Sequence, residues 1–228
     1  MTTRRMIGAL GVAALALSLT APAATAADQG PMGPQMLEQT VLRVQMPTTM
    51  GKWQQYLYRV DKNESPTMCW SMKGAVALPK APIVGSVNYQ VDLSTNGWVA
   101  IYQYATKADA DAALAKLRKL GCSDTAKHPT ESETMVTALQ GTDFTDASNT
   151  GVESGVTFVD DGTRGYVETA TTQRGLAVVQ TQVRKFVKGT QTLKAQQETF
   201  NRLSDFNQKW HAKVVKAYQS FGVEGTAS

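Results

Sequence analysis

Hydrophobic and polar positions along the chain predict strands followed by a helix, in two successive halves. In the first half, Trp53–Val60 is rich in aromatic and branched residues, which is typical of a strand. Further strands are predicted at Cys69–Leu78 and Val84–Leu93, on either side of a segment broken by two prolines.

An Asn96-Gly97 pair predicts the first hairpin turn. Both central residues of a type I′ turn need a positive φ, which Asn and Gly tolerate best. This turn would join Ser86–Leu93 to a strand at Trp98–Tyr104. Because side chains alternate along a strand, Trp98, Ala100, Tyr102 and Tyr104 are expected on one face.

A helix is predicted after Thr106, whose hydroxyl suits an N-cap. Gly121 marks its end, and Cys122 follows at once. Its apolar positions recur at helical spacing and comprise Ala110, Ala113, Leu114, Leu117 and Leu120. This stripe predicts that the helix packs on the sheet.

The second half repeats the order. A strand is predicted at Thr134–Leu139, followed by a three-stranded meander at Val156–Val159, Arg164–Thr171 and Leu176–Val187. In the last strand Ala177, Val179, Val183 and Val187 would face one way, and Gln180, Gln182 and Arg184 the other.

A long C-terminal helix is predicted to begin at Thr190 or Thr192 and to end at Gly222. We expect His211 on its exposed side. The apolar stripe of this helix comprises Leu193, Phe200, Leu203, Phe206, Trp210, Val214, Ala217 and Phe221.

These elements together predict an α+β fold in which an antiparallel sheet is covered on one face by helices. The break between the halves lies near residue 130. Two similar strand-strand-helix halves are consistent with an ancient duplication, although no residue-level repeat is evident.

The N-terminus has the three parts of a secretory signal peptide. Arg4 and Arg5 precede an uncharged apolar run at Met6–Thr20, and Ala24-Thr25-Ala26 matches a cleavage site. Thr3–Ile7 partly matches a twin-arginine export signal. A permanent membrane anchor needs about 20 apolar residues, more than this run supplies. We therefore predict export, cleavage after residue 26 or 27, and no membrane anchor.

The predicted domain organisation follows from that cleavage. Residues 1–26 form the signal peptide, and residues 27–50 form a leader in which Met36–Gln45 is predicted to be a short helix that Pro47 ends. Residues 51–222 form a single α+β domain, and residues 223–228 form a flexible tail.

Removing the signal peptide changes the charge balance. The whole chain has 23 Lys+Arg and 19 Asp+Glu, for a net charge of +4. Loss of Arg4 and Arg5 leaves 21 against 19, a net charge of +2. This small excess is not the basic patch of a nucleic-acid-binding protein.

Two cysteines, Cys69 and Cys122, remain in the mature chain. In an exported protein such a pair suggests a disulfide. The alternative is a reactive thiol, but there is no C-x-x-C pair and neither cysteine has a neighbouring histidine. The pairing would link the strand region near Cys69 to the end of the first long helix.

Catalytic and metal motifs are weak. The chain has no G-x-S-x-G nucleophile elbow, and its two histidines, His128 and His211, have no spacing to an activated serine or cysteine. Asp160-Asp161 before Gly162 is more simply a turn than a catalytic carboxylate pair. We therefore expect no enzymatic activity and no cofactor.

Methionines suggest a copper site as one alternative, because thioethers favour Cu(I). Three pairs have a spacing of four, namely Met32/Met36, Met46/Met50 and Met68/Met72. Pro34 and Pro47 interrupt two of them, and the third lies in a predicted strand. Core filling by flexible side chains is the simpler interpretation, so no metal site is predicted.

Aromatic residues cluster between Trp53 and Tyr104. They are expected either to fill the core or to line a concave ligand site. If a ligand binds, the predicted site combines the aromatic wall with the polar face of the last meander strand. Its residues are Trp98, Tyr102, Tyr104, Gln180, Gln182 and Arg184.

Two segments carry a family resemblance. One is the Ala-rich helix between Tyr104 and Cys122, and the other is Thr171–Val179, with an Arg174-Gly175 turn before a valine-rich strand. They are similar to secreted and lipoprotein relatives of the extracellular sensor domain of actinobacterial PknH-type Ser/Thr kinases. The resemblance covers roughly Cys69–Val187.

The resemblance implies a curved antiparallel sheet flanked by helices, a cleft for an unknown extracellular ligand, and no catalysis. The chain lacks the kinase domain and transmembrane helix of such receptors, so a secreted binding module is expected. Its partner would be a small extracellular ligand or a cell-wall component. A secreted hydrolase with an unrecognised site and a protein-binding inhibitor or cell-wall-associated factor stay open as alternatives.

Overall fold

The computed structural model describes residues 32–44, 46–66, 78–119, 135–138, 145–146, 149–160 and 162–224. The signal peptide, both cysteines, the strand predicted at 69–78, His128 and the pair Met68/Met72 lie outside these residues. The helices are α1 (Pro34–Arg43), α2 (Lys107–Lys119) and α3 (Leu193–Glu224), with one 3₁₀ turn at Thr48–Met50. The strands are β1 (Gln54–Asp61), β2 (Ile83–Asp92), β3 (Thr95–Gln103), β4 (Met135–Ala138), β5 (Thr145–Asp146), β6 (Asn149–Asp160), β7 (Thr163–Arg174) and β8 (Ala177–Lys188).

All eight strands form one antiparallel sheet, which confirms the predicted α+β fold. The strand order is β1-β2-β3-β8-β7-β6-β4, and β5 pairs with β6. The two halves of the chain meet where β3 pairs with β8, with Trp98 opposite Gln182 and Ala100 opposite Gln180. Residues far apart in sequence therefore become neighbours at the centre of the sheet.

Helices cover both faces of the sheet, so the expectation of a single covered face is wrong. On one face α1 and α3 pack on Val99, Ile101 and Val183. On the other face, called the α2 face below, Ala110 and Ala113 of α2 contact Tyr102. The reason is that β3 is apolar on both sides, and each apolar surface must be removed from water.

The segment expected to be a leader contributes to the core. Leu37 and Val41 of α1 are completely buried against the sheet and α3. Met32 and Met46 are also buried, and Met36 and Met50 pack partly buried on the same cluster. In these two pairs the methionines act as core-filling side chains.

The β2–β3 hairpin forms, but the predicted turn position is wrong. The turn residues are Leu93 and Ser94, while Asn96 and Gly97 lie inside β3. Asp92 supports the turn, because its Oδ1 accepts hydrogen bonds from the Ser94 backbone N and hydroxyl, each at 2.7 Å. Such an aspartate-centred turn competes well with an Asn-Gly turn.

Gly97 serves packing rather than a turn. A Cβ placed there would lie 2.9 Å from the backbone oxygen of Gln182 and 3.5 Å from Cζ3 of Trp210. The absence of a side chain therefore allows β8 and α3 to approach the centre of β3 closely.

Both long helices begin at the predicted caps. The Thr106 hydroxyl accepts a hydrogen bond from the Asp109 backbone N at 3.2 Å, and the Thr192 hydroxyl accepts one from Ala195 at 3.2 Å. However, α3 continues through Gly222 to Glu224, so the predicted end is wrong. Leu193 also departs from the predicted stripe, because it is 83% exposed at the first turn.

His211 lies on α3 and is buried between this helix and the sheet, contrary to its predicted exposure. Its Nε2 lies 2.7 Å from the Thr172 hydroxyl and its Nδ1 lies 3.1 Å from the Thr181 hydroxyl. Burial lowers the pKa of His211 from 6.5 to about 3. His211 follows Asn207 and Trp210 at helical spacing, and all three face the sheet.

Within the described part of the chain, no helix is long and apolar enough to cross a membrane.

Candidate ligand-binding groove

An open groove of about 620 Å³ lies on the α2 face of the sheet. It crosses β1, β2, β3 and β8. Ser86 and Ala100, directly paired across β2 and β3, form its floor. On β3 this floor is flanked by Trp98 on one side and Tyr102 on the other. Two small side chains between two large aromatic ones produce the depression.

Three of the six predicted site residues lie together in this groove. They are Trp98, Tyr102 and Arg184. Trp98 and Arg184 are half-buried, and Tyr102 is 5% exposed. Trp98 and Arg184 come from β3 and β8, so the pairing of the two halves of the chain creates the site.

The other three predicted site residues are buried away from the groove surface. The Tyr104 hydroxyl donates a hydrogen bond to the Pro79 carbonyl at 3.1 Å. Gln180, which is completely buried, donates from Nε2 to the Thr171 hydroxyl at 2.8 Å. Gln182 is also completely buried. None of these three side chains lines the open space of the groove.

Gln182 connects to two groove residues. Its Oε1 accepts hydrogen bonds from Trp98 Nε1 at 3.0 Å and from Arg184 Nε at 2.5 Å. Its Nε2 donates to the Thr169 hydroxyl at 2.9 Å, which fixes the orientation of the amide. A buried amide whose two ends are both bonded holds the indole and the guanidinium in defined positions.

Charged residues from the edge strand also line the groove. Arg59 and Asp61 belong to β1, and Glu64 follows that strand. These residues were not predicted as site residues, because the aromatic and branched content of this segment indicated only a strand. Their signal was the spacing of two between Arg59 and Asp61, which places both side chains on one face of a strand.

Tyr102 lies close to the acidic residues of the groove. Burial is the main cause that raises the pKa of Tyr102, and electrostatic interaction with the ionisable groups of Tyr104, Glu64 and Asp61 raises it further. The phenol is therefore protonated at neutral pH and keeps its hydrogen-bond donor. The carboxylates of Asp61 and Glu64, which lie near Tyr102, make this end of the groove acidic.

Chemically, this arrangement is suited to binding and orienting a ligand. It combines an aromatic ring, two guanidinium groups, two carboxylates and neutral polar side chains such as Asn88 and Asn96. Across the described residues, no three His, Cys, Asp or Glu side chains are grouped so as to hold a metal ion.

Similarity to known proteins is found only between structures, and it is low. No protein-family model matches the chain, and no curated protein matches it. A solved structure, the crystal structure of the extracellular domain of PknH from Mycobacterium tuberculosis, aligns with a TM-score of 0.46 and 12% sequence identity. The alignment covers 84% of this chain and all of that domain. This similarity carries no argument about function, so the family resemblance inferred from the sequence stays a prediction.

Proposed function

We propose that this protein is a non-catalytic, sensor-like module of the actinobacterial cell exterior and that it binds a small molecule in the groove. The observation that carries the proposal is that Trp98 and Arg184, both in the groove lining, are held by hydrogen bonds to the same buried oxygen of Gln182. An aromatic surface beside a charged group is a common arrangement in small-molecule sites.

The size of the groove supports this proposal. Ligand pockets typically measure about 300 to 1,000 Å³, and the groove lies inside that range at about 620 Å³. Most of its lining residues are polar or charged, and Trp98, Tyr102, Val84 and Ala100 supply the apolar surface, so a ligand gains mainly directed polar contacts.

Preorganisation is the second support. A ligand loses less free energy on binding when the groups that contact it are already held in place. Gln182 restrains Trp98 and Arg184 through hydrogen bonds that are shielded by its burial. Apolar side chains would stabilise the sheet as well as this buried polar network does. The network is therefore easier to explain by a binding site than by sheet stability.

The experiment compares the wild type with a variant whose groove is filled. Ser86→Phe places a phenyl ring on the floor, between the positions of Arg59 and Ala100. Gln54→Phe is the matched control, since Gln54 is exposed on β1 and lies outside the groove lining. Each protein is incubated with the small-molecule fraction of conditioned medium from the source organism, and bound molecules are identified by native mass spectrometry.

We expect a defined bound mass on the wild type and on Gln54→Phe, and its loss on Ser86→Phe. Equal binding to all three proteins would place the ligand elsewhere. No bound molecule on the folded wild type would contradict the proposed function.

A further inference from the structure

The charges of the groove are separated along its length. Asp61 lies in the same cross-strand row as Val84 and Tyr102, whereas Arg184 lies opposite Asn96. Three strand spacings and six residues along β3 separate these rows, so the Cα atoms of Asp61 and Arg184 are about 25 Å apart. With Glu64 beside Asp61, two carboxylates lie at one end of the groove and Arg184 lies at the other. Arg59 lies between the two ends, two residues from Asp61 in the row of Ser86.

Several of these charges are available to a ligand. Among the residues that the structure describes, Arg59, Asp61 and Glu64 form no ion pair, although all three line one groove. Charge-assisted hydrogen bonds are roughly twice as strong as neutral ones. An ammonium group on a ligand would therefore gain an ionic contact at Asp61 or Glu64, and a carboxylate group on the same ligand would reach the half-buried guanidinium of Arg184 at the other end.

Neutral polar groups lie between the two ends. The side-chain amides of Asn88 and Asn96 each present a donor and an acceptor, as does the hydroxyl of Ser86. Peptide groups offer the complementary donor and acceptor at every residue. Trp98 and Ala100 supply apolar surface in the same stretch, which suits side chains or Cα groups of a peptide.

A neutral oligosaccharide and a phosphorylated ligand match this pattern less well. The saccharide would leave both charged ends without an ionic partner. The phosphate would suit the arginines but would bring negative charge toward Asp61 and Glu64, where like charges repel.

We infer that the groove binds a short linear peptide with a free amino terminus at the acidic end and a free carboxyl terminus at Arg184. This inference rests on the proposed function. An extended peptide spans about 3.3 to 3.6 Å per residue. Four to six residues therefore span about 13 to 22 Å, and the two end side chains cover the rest of the distance.

The first experiment measures which end groups matter. A synthetic library of tetra- to hexapeptides with free termini is equilibrated with the protein, and retained peptides are quantified by mass spectrometry after ultrafiltration. The same library is tested after N-acetylation and, separately, after C-amidation, with maltohexaose as a neutral saccharide. We expect enriched free peptides, at least tenfold weaker binding of either blocked form, and no retention of maltohexaose.

The second experiment assigns each end to its residues. The double variant Asp61→Asn/Glu64→Gln should lose the preference for a free amino group while keeping the preference for a free carboxylate. Arg184→Gln should lose the preference for a free carboxylate while keeping the preference for a free amino group. Arg184→Lys, which keeps the charge, should retain part of the preference for a free carboxylate. Lys62→Gln is the control, because Lys62 is exposed and lies outside the groove lining. Circular dichroism confirms that each variant is folded.

The results separate this inference from the proposed function. Equal retention of free and blocked peptides, or no enrichment of any peptide, overturns the peptide assignment. Retention of maltohexaose, or of another molecule that is not a peptide, also overturns the peptide assignment. If Ser86→Phe abolishes that retention, the proposed function still stands. If neither the medium nor the peptide library contains a molecule that binds the wild type and not Ser86→Phe, both the peptide assignment and the proposed function are wrong.

Discussion

The carboxamide oxygen of Gln182 accepts a hydrogen bond from the indole Nε1 of Trp98 at 3.0 Å, across the pairing of β8 with β3. These residues are 84 positions apart in sequence. Because the same oxygen also accepts from Arg184 Nε, one buried side chain positions both an aromatic and a cationic group of the groove. Gln182 is thus a positioning residue rather than a ligand contact.

Replacing Gln182 by leucine should weaken both folding and ligand binding. The variant leaves the partners of a buried amide without their hydrogen bonds, which typically costs about 1–3 kcal/mol. Denaturant titration measures the stability, and binding of the ligand found in the medium measures the site. Gln180→Leu is the matched control, since Gln180 is equally buried but bonds with Thr171. We expect similar destabilisation for both variants but at least tenfold weaker binding only for Gln182→Leu, and equal binding losses would disprove the positioning role.

Gly97→Ala should destabilise the protein by about 1–3 kcal/mol, because the added methyl group overpacks the centre of the sheet. Its nearest contact would be the Gln182 backbone oxygen at 2.9 Å, which cannot move without shifting β8. Asn96→Ala is the control and should change the stability by less than about 0.5 kcal/mol. If Asn96 and Gly97 formed a type I′ turn instead, both substitutions would be costly, so thermal and chemical unfolding of the two variants distinguishes the two arrangements.

His211 should make the folded state less stable as the pH falls. Its pKa is about 3 in the folded protein and about 6.5 when unfolded. Between these values the unfolded chain binds a proton that the folded protein does not, so stability present above pH 6.5 is lost toward lower pH at about 1.4 kcal/mol per unit. From pH 7.5 to 5.5 the wild type should lose about 1.4 kcal/mol more than His211→Gln. Identical pH dependence of the two unfolding curves would show that His211 is not buried in its neutral form.

Cys69→Ala should lower the stability by a few kcal/mol if the two cysteines form a disulfide. They are 53 residues apart, and closing such a loop contributes about 4 kcal/mol in the chain-entropy account. Denaturant titration of the oxidised wild type and the variant tests this, with the reduced wild type as control. Equal midpoints at equal slopes would mean that no stabilising disulfide is present.

The exported protein should begin at Ala27 or Asp28 and contain no free thiol. The prediction rests on the Ala24-Thr25-Ala26 cleavage site and the paired cysteines. Intact mass of protein from the culture supernatant, with and without a thiol-reactive label, measures both properties. A retained N-terminus or two labelled cysteines would contradict the corresponding half of the prediction.

Local structure was largely predictable from the sequence. The caps at Thr106 and Thr192 and the strands β2, β3, β7 and β8 depend on side chains within a few positions of one another. The predictions that failed concern contacts with distant residues. Asn96-Gly97 has the composition of a turn, but Gly97 packs against β8 and α3, and His211 is buried by strands that precede it by 30 and 39 positions.

The amino-acid sequence by itself determined the α+β class, the two helices capped by threonine and the face of β3 that carries Trp98 and Tyr102. It also placed Arg184 and Gln182 on one face of β8, because side chains alternate along any strand. Only the tertiary structure decided that β3 pairs with β8 and that β1 brings Arg59 and Asp61 to the same groove. It also decided that Gln182 is buried while Arg184 is not. The physical reason is that periodicity is a local property, whereas strand register and burial are set by packing between segments that, in the pairing of β3 with β8, lie as far as 90 residues apart.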